Sequence, residues 1–235
     1  TVSGGSQEYV NILKNTLHNC IVMRGVRTVE RFPDKVIVCD THGVSEKYDQ
    51  VVIATHADDA YKILKDPTLT ERQLLAPWRY TENRAILHSD SSLMPKRKAL
   101  WSSWNFIESK VTKEREKLCV TYWMNKLQPW LGKENVFVTL NAQRMPQVDR
   151  IFQQFNYMHP HFDTTALHNQ TKLWDLQGVN RTWFCGSYFG YGFHEDALQS
   201  GLAVAEQLGQ IERPWDVQDK NSRLHILSKQ RYIST

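Results

Sequence analysis

The stretch that decides the fold is FCGSYFGYGFHEDALQSGLAVAEQLG, residues 184–209. A short apolar strand over 182–185 runs into it. The strand is followed by three glycines that alternate with aromatic residues: Gly186, Gly190 and Gly192. A turn in solvent needs only one or two glycines, so this pattern predicts that something approaches the backbone closely. An amphipathic helix follows and ends at Gly209, a residue typical of helix C-termini.

The start of this helix carries two acidic residues, Glu195 and Asp196. Free backbone N–H groups and the positive end of the helix dipole attract electron-rich groups at such a terminus. Ala197, Gly201 and Ala205 form a stripe of small side chains, which lets a helix lie against a sheet or a bound planar molecule. The strand, turn and helix therefore predict a site for a ligand oxygen, with an ordinary capped helix behind a flexible loop as the alternative.

The first part of the chain predicts one helix and a β-meander. Ser6 is expected to cap a helix that continues to Leu17 with one apolar face. Segments rich in β-branched residues predict three strands, at 20–29, 35–40 and 48–55. The last strand is apolar on both faces over 51–54, which favours a central position in a sheet. A short helix over 57–64 is expected to end before Pro67.

The composition of the sequence changes between residues 66 and 180, where Trp and Tyr become frequent. Candidate strands alternate there with polar turns, at 85–88, 99–105, 118–123 and 136–140. They predict a second, mostly antiparallel sheet with aromatic inward faces. We therefore predict a mixed α/β (α+β) fold with one domain over 1–65 and 181–212. A second domain is expected over 66–180, and a C-terminal arm over 213–235.

The composition favours a soluble globular protein, because 41% of the residues are hydrophobic and no apolar run approaches about 20 residues. The net charge of +4 and the scattered basic residues argue against nucleic acid as a partner. The cysteines lie far apart: Cys20, Cys39, Cys119 and Cys185. This spacing indicates reduced thiols in a cytoplasmic protein. His159 and His161 have only Asp163 as a nearby ligand residue, so we predict no metal site.

Five segments carry a resemblance to a known family: VSGGSQEYV (2–10), YDQVVIATHADDA (48–60), YTENRAILHSDSSLMPKRKALWSSWN (80–105), TYWMNKLQ (121–128) and CGSYFGYGFHEDALQSGLAVAEQLG (185–209). In order and spacing they resemble the C-terminal two-thirds of flavin-dependent oxidoreductases of the amine oxidase, protoporphyrinogen oxidase and phytoene desaturase superfamily. The resemblance implies part of an FAD-binding, Rossmann-like domain that includes the β-meander. It also implies a substrate domain built on the antiparallel sheet.

The resemblance also implies positions for the cofactor FAD and for a small-molecule or lipid substrate. The expected contacts to the flavin ring, ribityl chain and nearby pyrophosphate are Gly186, Ser187, His194, Glu195, Asp196 and Ala197. Val26 is expected to contact adenine, and Ala54 and Thr55 are expected to lie near the pyrophosphate. The expected pocket residues are Trp101, Tyr122, Trp123 and Asn125, for each of which core packing is the alternative. No catalytic residue is assigned, since flavin itself performs the hydride chemistry.

One departure from the family pattern concerns the GxGxxG turn that binds the pyrophosphate, which this sequence does not contain. Together with a start that is not Met, its absence predicts that the chain is part of a longer protein. Our interpretation is an amine oxidase-like enzyme that takes hydride from an apolar or amine-bearing substrate, lipids included. The alternative is a non-catalytic binding or scaffold domain that does not hold FAD by itself. The oligomeric state is left open.

Overall fold

The computed structural model describes residues 2–17, 24–106 and 119–226. The chain divides into two compact units. Unit 1 combines Thr1–Cys20 with Thr81–His159, and unit 2 combines Ile21–Tyr80 with Pro160–Thr235. The boundaries between the two units thus fall after residues 20, 80 and 159. The domain boundaries that we predicted from the sequence lie after residues 65, 180 and 212.

The described residues form six α-helices and ten strands, connected by turns and short 3-10 helices. The helices are α1 (Gln7–Thr16), α2 (Ala57–Ile63), α3 (Leu69–Leu75), α4 (Met124–Leu127), α5 (Thr164–Gln170) and α6 (His194–Gly209). The strands are β1 (Val26–Arg31), β2 (Val36–Asp40), β3 (Ser45–Tyr48), β4 (Val51–Ile53), β5 (Arg79–His88), β6 (Trp104–Phe106), β7 (Val120–Trp123), β8 (Phe137–Leu140), β9 (Ile151–His161) and β10 (Thr182–Phe184). None of the helices in this part of the chain has the length and apolar character that a membrane span requires.

Unit 1 is built on a five-stranded sheet with the order β6-β7-β8-β5-β9. The pairs β6–β7, β7–β8 and β5–β8 are antiparallel, so the predicted second sheet is confirmed. The predicted strand over 99–105 is wrong, because Lys98–Leu100 forms a 3-10 turn and only Trp104–Phe106 pairs. Leu118, expected to open the next strand, lies outside the described residues.

A hydrogen-bonded chain of polar side chains lies inside the sheet of unit 1. His88 Nε2 and Thr139 Oγ1 are 2.8 Å apart, and Thr139 Oγ1 is 2.8 Å from Thr121 Oγ1. All three residues are fully buried. The Asp90 backbone N–H donates to His88 Nδ1 at 3.1 Å, so the proton of the neutral ring resides on Nε2. Burial lowers the pKa of His88, which keeps the ring neutral.

Helix α1 forms where the sequence predicts it, but its packing differs from the expectation. The Ser6 side chain makes no capping hydrogen bond. None of the helix residues is buried, and Ile12 and Leu13 are 63% and 57% exposed. The apolar stripe that predicted the helix therefore has no partner in the part of the chain that the structure describes.

Unit 2 contains the predicted β-meander, in which β1, β2 and β3 are successive neighbours. The predicted strand over 48–55 is two elements. Strand β3 ends the meander, and β4 pairs in parallel with β10 in a separate sheet. Among the described residues β4 has this one neighbour, so its predicted central position is not observed.

The outer edge of β10 is covered by two residues that are not part of a strand. The side-chain amide of Gln177 donates to Phe184 O at 2.7 Å and accepts from Phe184 N at 2.9 Å. The backbone N–H of Gly178 donates to Thr182 O at 2.9 Å. These bonds replace the ladder that a neighbouring strand would form with β10.

The hydrophobic core of unit 2 combines side chains from both sheets and from a helix. They include Val29 and Val36 of the meander, Ile53 of β4, Phe184 of β10 and Leu75 of α3. A buried ion pair links the meander to α3, because the side chains of Arg31 and Glu71 are each 1% exposed and the Arg31 Nη2–Glu71 Oε2 distance is 2.9 Å. Glu71 also accepts from the Thr68 backbone N–H in a capping box. Within the described residues Cys39, Cys119 and Cys185 are free thiols, and Cys20 lies outside them.

Candidate functional site

The carboxyl ends of the parallel strands β4 and β10 bring together four of the residues predicted to bind the cofactor. Cys185 N donates to Ile53 O at 3.1 Å, so the segments that follow the two strands leave the sheet side by side, at Ala54–Thr55 and Gly186–Ser187. A Cβ built on Gly186 would lie 3.4 Å from Thr55 O. In parallel sheets, ligands bind outside the carboxyl ends of the strands.

The glycines of the loop are explained by the packing of the protein on itself. Gly186 has a φ of +154°, and a Cβ there would lie 2.7 Å from the Tyr188 ring. A Cβ on Gly190 would overlap the Asp196 carboxylate, and one on Gly192, where φ is +90°, would press on Phe162. Internal contacts alone already account for these glycines, so their presence does not by itself indicate a ligand.

Two buried polar side chains hold the glycine-rich loop in place. Gln170 Nε2 donates to Tyr188 O at 2.9 Å and to Gly190 O at 2.6 Å. Ser200 Oγ of α6 accepts from Gly186 N at 3.0 Å and donates to Gly186 O at 3.1 Å. Sequence analysis missed both residues, since a lone Gln or Ser in a helix has no pattern that reveals a partner more than ten positions away.

The N-terminus of α6 offers backbone donors. Its N-cap residue, Phe193, supplies no side-chain acceptor, so the N–H groups of His194 and Glu195 have no capping partner among the described residues. The fully buried Asp196 carboxylate accepts from Phe193 N at 2.7 Å and fixes the entry of the chain into the helix. His194 and Glu195 are exposed residues, and unpaired amides at a helix start suit an electron-rich ligand atom.

The stripe of small residues on α6 does not pack against the sheet. The helix instead buries Asp196, Gln199, Ser200, Ala203 and Val204. No atom lies within 4 Å of a Cβ built on Gly201, and Ala205 is exposed. Among the described residues, no part of the sheet packs on Gly201 or Ala205, and the space beside Gly201 is open.

Tyr80 is a further residue of this region that sequence analysis missed. Its hydroxyl accepts from Ala57 N at 2.9 Å at the start of α2, and its ring stacks on His56 with 4.2 Å between centroids. Burial raises the pKa of Tyr80 to about 12, so the phenol stays protonated. The segment that follows Ala54 and Thr55 is thereby held in one conformation.

Val26 is the predicted cofactor residue that lies apart from this loop. It is the first residue of β1, opposite Asp40, and its side chain is 43% exposed. The pair Gly25–Val26 opens the meander, and Gly25 O accepts from Thr41 N at 2.9 Å.

The four predicted pocket residues lie in unit 1 and do not form one pocket. Trp101 and Trp123 contact edge to face at 5.3 Å, and Trp101 also meets Phe137 at 5.6 Å. Tyr122 is on the opposite face of β7, because successive side chains of a strand alternate, and it contacts Trp104. Asn125 binds the backbone of residues 132, 134 and 136 and organises the turn before β8.

Potential metal ligands are grouped at a place that the sequence did not predict. The ligand atoms of His56, Asp58 and Asp59 lie within 4.8 Å of one another. Lys62 Nζ bonds to both carboxylates, at 2.5 Å to Asp58 and 3.0 Å to Asp59, so an ammonium group already offsets one of their two negative charges. His159, considered in the sequence, contacts Asn83 at 3.2 Å.

Comparison with known proteins identifies sequence and fold relatives of the chain. A family model described as flavin containing amine oxidoreductase matches residues 13–209. No protein with a curated description matches the sequence. A fatty acid isomerase from P. acnes that produces CLA has a similar fold, with a TM-score of 0.65 and 14% identity over 88% of this chain and 52% of its own. Putrescine oxidase bound to putrescine gives a TM-score of 0.61 and 14% identity over 88% of this chain and 53% of its own. The chain thus spans about half the length of these structures.

Proposed function

Because the chain belongs to the family of flavin containing amine oxidoreductases, we propose that it acts as part of an FAD-dependent oxidoreductase. The substrate we propose is a molecule with an amine group or an apolar, lipid-like body. Two solved relatives of the fold are named for putrescine and for a fatty acid, which supports both substrate classes as candidates.

The observation that carries this proposal is the pair of free amides at the start of α6, a helix that is bonded to the end of β10 through Ser200 and Gly186. The N–H groups of His194 and Glu195 suit the electron-rich edge of a flavin ring, and the open space beside Gly201 leaves room for a planar group. The positive end of the helix dipole stabilises negative charge on such a group. A bound flavin supplies the hydride acceptor, and the chain supplies its position and electrostatic surroundings.

The residues that we propose to hold FAD are those that the resemblance to the family implies. The backbone of His194, Glu195, Asp196 and Ala197 would face the ring, and Gly186 and Ser187 would lie by the ribityl chain and pyrophosphate. Ala54 and Thr55 adjoin Gly186 at the strand ends. We assign Val26 to the adenine end. The sequence has no GxGxxG turn, so we propose that a polypeptide segment outside this sequence supplies the main pyrophosphate contacts.

The second candidate function is a binding or scaffold domain that does not hold FAD by itself. It is favoured by the finding that internal packing explains the three loop glycines. On this alternative, the free amides of α6 meet only solvent. The two candidates make opposite predictions for flavin binding by this chain and by a version extended upstream.

The test is FAD binding to the chain and to an upstream-extended version, measured by the visible absorbance of flavin. The informative variant is His194→Pro, which removes one free amide at the first position of α6. Proline is tolerated there, and Phe193 already has the extended conformation that precedes proline, with φ −97° and ψ 167°. We expect His194→Pro to weaken FAD binding, and His194→Ala, which keeps the amide, to leave it unchanged.

Two results would count against the proposal. Absence of FAD binding in both versions favours the scaffold alternative. Equal FAD affinity of His194→Pro and His194→Ala removes the α6 amides from the cofactor site. With a holo-protein in hand, anaerobic mixing with putrescine and with an unsaturated fatty acid then tests the substrate classes, since only a substrate bleaches the flavin band.

A further inference from the structure

The segment over 213–226 folds back along α6, although it lies beyond the region matched by the family model. We call this segment the strap. Its first end is held by Arg213, whose Nε and Nη2 bond to the two carboxylate oxygens of Glu206 at 2.6 and 3.0 Å. This pairing lowers the pKa of Glu206 to about 2. Near its other end, Leu224 is 9% exposed and joins the core of unit 2.

Arg223 brings the strap to the N-terminus of α6. Its backbone N–H donates to Gln199 Oε1 at 3.2 Å, and its Nη1 donates to Asp196 Oδ1 at 3.2 Å. The guanidinium carbon lies 5.9 Å from the centre of the Tyr191 ring. One side chain thus contacts both the glycine-rich loop and the first turn of the helix.

The contact with Asp196 matters because of where that carboxylate lies. Asp196 is 0% exposed and sits in the first turn of α6, next to the free amides of His194 and Glu195. A full negative charge there opposes the roughly half positive charge of a helix N-terminus and repels an electron-rich ligand. Arg223 is the ion-pair partner of Asp196 in the described structure, and its positive charge offsets that repulsion.

We propose that Arg223 is a positioning residue that neutralises Asp196, so that the first turn of α6 keeps its fixed conformation and its attraction for an electron-rich group. The inference rests on the proposed function for the identity of that group, the edge of a flavin. The neutralisation itself concerns only this chain and is testable without flavin.

The first experiment measures amide hydrogen exchange over residues 191–196 in the ligand-free chain. Loss of the partner of a buried carboxylate loosens the turn, so we expect Arg223→Gln to exchange about tenfold faster there. Arg213→Gln is the matched control, because it removes another ion pair of the strap, with Glu206, away from the helix start. Unchanged exchange in Arg223→Gln, or equal acceleration in Arg213→Gln, would overturn the positioning role.

The second experiment tests the charge with inorganic phosphate as the probe, titrated against the His194 and Glu195 amide signals of the labelled chain. We expect Arg223→Gln to bind phosphate about tenfold more weakly, Arg223→Lys to retain binding, and Arg223→Gln combined with Asp196→Asn to recover it. A strap that acts only by packing predicts no recovery in the double variant. Absence of phosphate binding by the wild-type chain would overturn the proposed attraction, whereas failure of FAD alone to bind would count against the proposed function.

Discussion

Replacing Gln170 with methionine measures how far the glycine-rich loop depends on one buried side chain. The change keeps the length of the side chain and removes the amide that donates to Tyr188 O and Gly190 O. Loss of a donor costs about 1–3 kcal/mol for each of the two buried carbonyls, and burial of the methionine returns about 1 kcal/mol, so the net loss lies within about 1–5 kcal/mol. We expect the free energy of unfolding to fall by about 2–3 kcal/mol, or the melting temperature by about 5–10 °C.

The matched control is Gln177→Met, which also removes two bonds to the backbone, here to the N–H and C=O of Phe184. Urea unfolding is expected to show a comparable loss for both variants. Hydrogen exchange separates them, because Gln170→Met alone is expected to speed exchange of the Phe189, Gly190 and Gly192 amides, which bond within the loop. A loss below about 0.5 kcal/mol for Gln170→Met, the range of ordinary surface substitutions, would refute the reasoning, as would equal loop exchange in the two variants.

Three further predictions concern buried polar groups. Glu71→Gln keeps the side-chain size but removes one charge of the buried pair with Arg31, so urea unfolding should show a loss of about 3 kcal/mol, and a loss below about 1 kcal/mol would contradict it. The Tyr188 hydroxyl is buried and has no hydrogen-bond partner among the described residues, so Tyr188→Phe should leave the free energy of unfolding unchanged or raise it; a clear decrease would show that the hydroxyl is bonded. Burial lowers the pKa of His88 below its ordinary value of 6.5, so its contribution to stability is present above pH 6.5 and is lost as the pH falls from there towards the lowered value. The difference in unfolding free energy between wild type and His88→Gln should shrink on acidification, and a constant difference would exclude this linkage.

The elements that sequence analysis predicted well are those whose pattern is local. Helix α6 follows from its periodicity, and Val51–Ile53 from a run of β-branched residues. The segment over 99–105 failed because the Trp101 indole N–H bonds to Pro95 O at 2.8 Å and stabilises a turn that its apolar sequence does not announce. Strand β9 was missed because most of it is exposed on both faces, so it lacks the alternation that marks a half-buried strand.

The sequence indicated where the candidate site lies in the chain, but it did not reveal the internal contacts that hold the loop in place. The Gly-rich pattern led to the ends of two paired strands, where Ala54, Thr55 and Gly186 meet. The reason for the glycines was not visible, because it depends on Tyr188, Asp196 and Phe162 filling the space above them. Arg223 was equally hidden, since its partner Asp196 lies 27 positions away and no local pattern joins the two.

The side-chain amide of Gln177 blocks the β10 edge of the small parallel sheet, so that a further strand can be added only beside β4. It occupies the outer backbone groups of Phe184, so a strand arriving beside β10 finds no free hydrogen-bonding partners there. On β4 the situation is the reverse. Ile53 O is turned towards Cys185 N, which turns the backbone groups of Val52 to the opposite side, and Val52 is 44% exposed. An additional strand can therefore join this sheet at the β4 edge. Such a strand would form its hydrogen bonds with the backbone of Val52.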